Sequence, residues 1–245
     1  TGTAGVAADS VNTITLSGLS TATGGGADAY TVNLNNADLG DLSVAGVETL
    51  TLNLSGKAVD VADLSAGALE KLIITGGVND VDSTTEAAVI GSGVSIAFAG
   101  LDTGESAVID ASGSTNDVTL TVASDDDDDL VATGGACTFK LTMTGTDDEA
   151  TVAVTAGAGG IDVVLIGGDN QATDTAINTI TATGSAAADI VDISALVDAT
   201  NITATAADES KSVNATVSTA GGADTVTIHA GVVNVDTGAG NDTVV

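Results

Sequence analysis

Short segments that alternate apolar and polar residues recur along this chain at nearly constant spacing. Residues 47–52 (VETLTL) resemble residues 69–74 (LEKLII), which lie 22 positions later. A further step of 22 residues aligns residues 94–98 (VSIAF) with the end of that segment, and residues 118–122 (VTLTV) and 139–143 (FKLTM) follow. Alternation with a period of two is typical of a strand with one buried face. Its regular recurrence predicts coils stacked along an axis.

The strands come closer together in the second part of the chain. After about residue 145, apolar pairs recur every 9 to 14 residues and are separated by turns rich in Gly and Ala. We therefore predict an all-β fold, an elongated parallel β-solenoid or β-roll with short strands. It has a region of about 22-residue spacing at 1–145 and a tighter region at 146–245, forming either two domains or one continuous domain. We also expect the sequence to be a fragment of a longer chain.

The composition suits a narrow core. Hydrophobic residues make up 43% of the chain but aromatic residues only 1%, and Pro and Trp are absent. Val, Ile and Thr favour strands because a branched Cβ fits a pleated surface. A wide barrel or sandwich usually contains some bulky rings, whereas a thin solenoid lined by Val, Ile and Ala does not need them.

The charge excludes several classes of function. The chain has 34 Asp and Glu residues against 4 Lys and Arg, which gives a formal net charge of −30. Nucleic acid is excluded as a partner because phosphate contacts require Lys and Arg. A β-helical enzyme that cleaves acidic polysaccharides would need basic residues in its groove, and this chain has one His and no Arg. We predict that the protein is not an enzyme and that divalent cations balance its charge.

Two glycine-rich motifs near the end of the sequence are candidates for calcium binding. Residues 220–227 (AGGADTVT) and 238–245 (GAGNDTVV) place their aspartates 18 positions apart, which is two nonapeptides. Glycine lets the backbone curl so that carbonyl oxygens face inward, and Ca²⁺ takes 6–8 carbonyl or carboxylate oxygens. If two nonapeptides make one coil, both turns stack on the same edge and share calcium. The predicted ligands are Asp224, Asp242, Gly222, Gly240 and Asn241.

Looser copies of the motif occur earlier in the chain. Residues 24–30, 157–164 and 184–191 add three candidate calcium ligands, for which a plain solvated turn is the alternative: Asp28, Asp162 and Asp189. Residues 134–139 have the turn with Cys137 in place of the Asp, so we expect no calcium there.

These motifs resemble the repeats-in-toxin nonapeptide G-G-x-G-x-D-x-U-x, where U is a large apolar residue. Residues 44–52 (VAGVETLTL) are similar to a strand segment that recurs in the surface-layer proteins of this type in Gram-negative bacteria. The resemblance implies type I secretion, calcium binding outside the cell and self-assembly into a two-dimensional lattice anchored to lipopolysaccharide. The anchoring region and secretion signal of such subunits are not recognisable here. The alternative is the calcium-rigidified stalk of a secreted adhesin of the same family.

Overall fold

A computed structural model describes most of the strand-forming segments. The described residues are 12–16, 28–35, 38–44, 46–55, 58–66, 68–77, 87–90, 96–98, 106–123, 129–144, 151–167, 179–196, 214–228 and 232–245. Every element of regular secondary structure within these ranges is a β-strand. The all-β prediction is therefore confirmed. The same ranges hold no helix long and apolar enough to span a membrane.

The described strands form two long parallel sheets and one short one. Sheet A has eleven strands: β1 (Asn12–Leu16), β3 (Asp38–Val44), β5 (Ala58–Ala66), β7 (Ala87–Ile90), β8 (Ile96–Phe98), β10 (Asp117–Ala123), β12 (Phe139–Thr144), β14 (Ile161–Gly167), β16 (Ile190–Leu196), β19 (Thr225–Thr227) and β22 (Thr243–Val244). Sheet B has nine: β2 (Ala29–Asn35), β4 (Thr49–Ser55), β6 (Lys71–Gly76), β9 (Ser106–Ser114), β11 (Asp129–Thr133), β13 (Thr151–Thr155), β15 (Thr179–Thr183), β17 (Asn214–Ser218) and β20 (Val232–Asp236). The short sheet pairs β18 (Gly221–Gly222) with β21 (Ala239–Gly240).

The chain alternates between the two long sheets, so that successive coils add a strand to each, except that β7 and β8 follow one another within sheet A. Because a coil returns to the same sheet in the same direction, its strands pair in parallel with those of the next coil. The inward side chains of both sheets form a single hydrophobic cluster. This arrangement confirms the predicted parallel β-solenoid.

The core consists of aliphatic ladders that run along the solenoid. In sheet B, Leu52 pairs with Ile74, and in sheet A, Leu120 pairs with Leu141; all four side chains are buried. Alternate residues on each strand point to solvent, which explains the apolar–polar pattern of the sequence. Phe139 is the largest fully buried side chain.

The register confirms most of the repeat spacing and corrects one part of it. The 22-residue offset appears as the pairing of Thr49 with Lys71, and residues 118 and 139 pair as expected. The alignment of residues 94–98 with the end of residues 69–74 is wrong, because β8 pairs with β5 and β10 in sheet A whereas β6 lies in sheet B. The coil after β6 is longer than 22 residues, since Lys71 pairs with Val108.

Both sheets continue across residue 145. In sheet A, β12 pairs with β14, and in sheet B, β11 pairs with β13. The division of the chain into regions 1–145 and 146–245 stays a prediction.

Candidate metal site

One column of inward positions changes its chemistry along the solenoid. It lies at the corner where the chain passes from sheet B into sheet A, and successive coils place one residue each at this position. The pairings of β10, β12, β14, β16, β19 and β22 align these residues. We call them the corner column: Val118, Phe139, Ile161, Asp189, Asp224 and Asp242. The first five are buried and Asp242 is half-buried.

The carboxylates of the corner column hold the backbone of the coil before them. Oδ1 of Asp189 accepts a hydrogen bond from the N–H of Ile161 at 2.8 Å. Oδ1 of Asp224 accepts from the N–H of Asp189 at 2.9 Å, and Oδ1 of Asp242 accepts from the N–H of Asp224 at 3.3 Å. The three aspartates are therefore stacked, one coil apart, along the inside of the corner.

The Oδ2 atoms of Asp189 and Asp224, the two buried aspartates of the column, differ in their hydrogen bonding. Oδ2 of Asp189 accepts a hydrogen bond from the N–H of Ser185 at 2.8 Å. Oδ2 of Asp224 is buried and has no hydrogen-bond partner. A buried acceptor without a partner costs about 1–3 kcal/mol, and more when it is charged. A cation placed beside this oxygen would remove that cost.

The pKa of Asp189 reflects the same environment. Burial raises the pKa of its carboxyl above the ordinary value, because a charge is poorly solvated in the core. Hydrogen bonds from Ser185 and Ile161 oppose this shift, and the nearby carboxylate of Asp224 adds to it. The stacked carboxylates therefore repel one another where no cation lies between them.

Glycine turns bring backbone carbonyl oxygens to the same corner. Gly222 pairs with Gly240 in the short sheet, so the two motifs stack on one edge, as their 18-residue spacing predicts. A Cβ at Gly240 would overlap the carbonyl oxygen of Gly222 and would lie 2.7 Å from Oδ1 of Asp242. The absence of a side chain lets the two turns approach this closely. Asn241 is exposed at the tip of the second turn.

The oxygen atoms at this corner are of the kinds that calcium prefers, carboxylates and backbone carbonyls. Within the described ranges, no group of three or more His, Cys, Asp or Glu side chains is placed to hold a metal ion. A calcium ion here would therefore depend on two neighbouring carboxylates, together with carbonyl oxygens of the turns. The residues present fit such a mixed ligand set.

Two of the predicted aspartate ligands lie outside the corner column. Asp162 follows Ile161 on the outer face of β14, where its carboxylate is 2.8 Å from Nζ of Lys140. Asp28 lies at the other corner, before β2, and its N–H donates to the carboxylate of Glu48 at 2.7 Å. A calcium role for either residue stays a prediction. Cys137 is half-buried, and its thiol donates to the carbonyl oxygen of Thr115.

The acidic partners of Asp28 were not predicted from the sequence. Glu48 and Glu70 follow it at the same position in the next two coils, linked by backbone hydrogen bonds. The 22-residue spacing between Glu48 and Glu70 was the signal that could have revealed this second acidic column.

No protein-family model matches the chain, and neither a curated protein nor a solved structure matches it. The resemblance to repeats-in-toxin proteins therefore rests on the motifs alone.

Proposed function

We propose that this chain is a structural subunit of a bacterial surface layer, secreted by the type I route and stabilised by calcium outside the cell. The observation that carries the proposal is the buried Oδ2 of Asp224, which lacks a hydrogen-bond partner beside a second buried carboxylate. The motifs at residues 220–227 and 238–245, which resemble the repeats-in-toxin nonapeptide, lie at the same corner.

The residues of the corner column have distinct roles in this proposal. Asp224 would supply the free oxygen, and one neighbouring carboxylate, that of Asp189 or that of Asp242, would be the second acidic ligand. Bound calcium would neutralise the stacked carboxylates and tie adjacent coils together. The Oδ1 atoms already hold the backbone N–H groups of neighbouring coils, so the carboxylates are positioned before any ion arrives.

The proposed site suits an extracellular setting. Calcium sites of extracellular modules have dissociation constants of about 10⁻⁴–10⁻³ M, so they fill outside the cell and stay empty in the cytosol. Without calcium, carboxylate repulsion would keep the last coils loose and the chain easy to secrete. With calcium, the same coils would become rigid and able to assemble.

A calcium titration against a chelator control tests this function. Circular dichroism would follow β-structure, and light scattering would follow assembly. A gain in β-signal at millimolar calcium followed by ordered assembly is the expected result. A gain in β-signal without assembly would favour the adhesin stalk, and no response of either kind would overturn the calcium proposal.

A further inference from the structure

The outer faces of the two sheets carry different charge. On the outer face of sheet A, five described positions are carboxylates: Asp41, Asp60, Asp117, Asp162 and Asp192. One cation on that face, Lys140, pairs with Asp162. Sheet A therefore presents a net negative surface, as expected for a chain with a formal net charge of −30.

The outer face of sheet B is almost free of net charge from β2 to β17. Inside it, the described charged side chains are Lys71 and Asp110, which lie on adjacent strands. A hydrogen bond from the Ser112 hydroxyl lowers the pKa of Asp110, and the positive charge of Lys71 adds to this shift. Asp129 lies at the border, at the first residue of β11. We call this outer surface of β2 to β17 the neutral face.

Hydroxyl, amide and small apolar groups fill the neutral face. One in-register file contains Thr133, Thr155, Thr183 and Ser218. A neighbouring file contains Val131, which is 41% exposed although it is apolar, followed by Ala153 and Thr181. Further along the sheet, the side-chain amide of Asn53 donates to that of Asn33.

We propose that the neutral face is where a second copy of this chain docks. Two copies carry the same large negative charge and repel each other wherever carboxylates face one another. Apart from its border beside Asp28, Glu48 and Glu70, the neutral face lacks this repulsion, and it offers the exposed side chain of Val131 with hydroxyl groups around it. Packed face to face, two such sheets would leave the acidic faces of both copies in solvent. The inference rests on the proposed self-assembly but not on the calcium site.

The size of the neutral face supports this partner. Eight strands about 4.8 Å apart, with about five residues of about 3.3 Å each, span roughly 600 Å² per copy. A standard stable interface buries about 800 Å² per partner. The contact is therefore of moderate strength, which suits a lattice in which it is repeated. A glycan platform is less suitable, because the described residues of the neutral face hold no aromatic ring on which a sugar could stack.

The test adds charge to the neutral face and to a matched place on sheet A. Thr155→Asp with Thr183→Asp introduces two carboxylates on adjacent strands of sheet B. Thr121→Asp with Thr142→Asp makes the same change on adjacent strands of sheet A. Thr155→Val with Thr183→Val keeps the neutral face uncharged. Circular dichroism of each variant checks that the solenoid is folded.

Sedimentation velocity over a range of protein concentrations would be measured at raised NaCl, which screens the background repulsion, with calcium and with chelator. We expect the sheet B aspartate pair to raise the concentration needed for association by roughly tenfold or more, and the sheet A and valine pairs to leave it near wild type. Equal association of both aspartate pairs would overturn the docking face but leave self-assembly standing. A wild-type chain that stays monomeric in every condition would overturn both.

Discussion

The two halves of the corner column fill the same register position with opposite kinds of side chain. Val118, Phe139 and Ile161 fill their coils with apolar side chains, whereas the next three coils place aspartates at the same register position. Burying a Val, Ile or Phe side chain stabilises the fold by about 1.5–3 kcal/mol under any condition. A buried carboxylate stabilises only when its charge has a partner. The comparison teaches that one solenoid can combine coils of unconditional stability with coils whose stability depends on solution conditions.

Extending the aspartate half of the corner column by one coil should cause the largest change in the free energy of unfolding. Ile161→Asp places an uncompensated charge at a buried position, and we expect a loss of about 3–5 kcal/mol of unfolding free energy in chelator. If the column binds calcium, millimolar calcium should recover part of that loss, because the new carboxylate lies beside Asp189. Chemical denaturation with and without calcium measures both quantities.

Phe139→Ala is the control for that substitution. It removes a fully buried ring and should also cost about 3–5 kcal/mol, but calcium should recover none of it. The same fractional recovery in both variants would show that calcium acts elsewhere in the molecule.

Removing the unpartnered oxygen should have the next largest effect. Asp224→Asn takes away one carboxylate charge while keeping an oxygen that can accept the N–H of Asp189. If the column binds calcium, the ion at about one hundred times its dissociation constant would stabilise the native state by about 2.7 kcal/mol, and we expect Asp224→Asn to lose most of this gain. Thermal unfolding with and without calcium provides the measurement.

Asp162→Asn is matched in chemistry but lies outside the column. Its partly exposed pair with Lys140 contributes about 0–1 kcal/mol, so its loss should change stability little. If the corner column is the calcium site, the calcium response should stay intact in this variant. A calcium response that is lost in Asp162→Asn and kept in Asp224→Asn would mean that the corner column is not the site.

The pH dependence of the metal-free protein should show a smaller effect. Because burial raises the pKa of Asp189, the native state binds a proton more tightly than the unfolded chain does. The contribution to stability is then fully present below the ordinary Asp pKa of about 3.9, and it is lost as pH rises through the higher native pKa. In chelator, wild type should therefore lose stability relative to Asp189→Asn as the pH rises from about 4.

Asp110 provides a comparison of opposite sign. A hydrogen bond from the Ser112 hydroxyl lowers the pKa of Asp110, so its contribution is present above the ordinary pKa and is lost as pH falls through the native value. Wild type should therefore lose stability relative to Asp110→Asn as the pH falls, whereas it should lose stability relative to Asp189→Asn as the pH rises. If the stabilities of wild type and Asp189→Asn change in parallel with pH, burial does not raise the pKa of Asp189.

The sequence predicted the strands that alternate cleanly and missed those that do not. β4, β6, β10 and β12 have a strict period of two, and their spacing yields the register directly. In β5 the inward residues are Val59, Val61 and Leu64, so the period is broken after Val61. The position of such a strand depends more on its pairing with neighbouring strands than on its own apolar–polar pattern. The periodicity of that segment alone therefore does not reveal it.

The number of residues between an aspartate and the next buried strand residue predicts whether that aspartate belongs to the candidate site. Asp224 and Asp189 each lie two residues before a buried valine, Val226 and Val191, so they point to the same side as that valine. Asp162 directly precedes the buried Val163 and therefore points outward. The glycine-rich motif alone does not separate these cases, but counting in steps of two from the buried strand residue does. The unpartnered oxygen of Asp224 depends on the three-dimensional packing of three coils and had no signal in the sequence.

The smallest expected effect concerns the two stacked turns that precede Asp224 and Asp242. Ala220 has φ of 66° and is the only non-glycine residue with positive φ in the described ranges; Gly238, one coil later, has φ of 68°. A residue with a Cβ costs about 1–2 kcal/mol in this conformation, whereas glycine adopts it freely. Part of the gain is offset by the greater freedom of glycine in the unfolded chain, so Ala220→Gly should stabilise the protein by about 0.5–1 kcal/mol.

Ala239→Gly is the control, because Ala239 pairs with Gly221 in the same turns but has no positive φ. It should lower stability by about 0.5–1 kcal/mol through the unfolded chain alone. Both changes can be read from urea denaturation in calcium, where the last coils are expected to be ordered. If both substitutions destabilise to a similar degree, the turn before Asp224 does not adopt the left-handed conformation, and the two motifs are not stacked as equivalent turns.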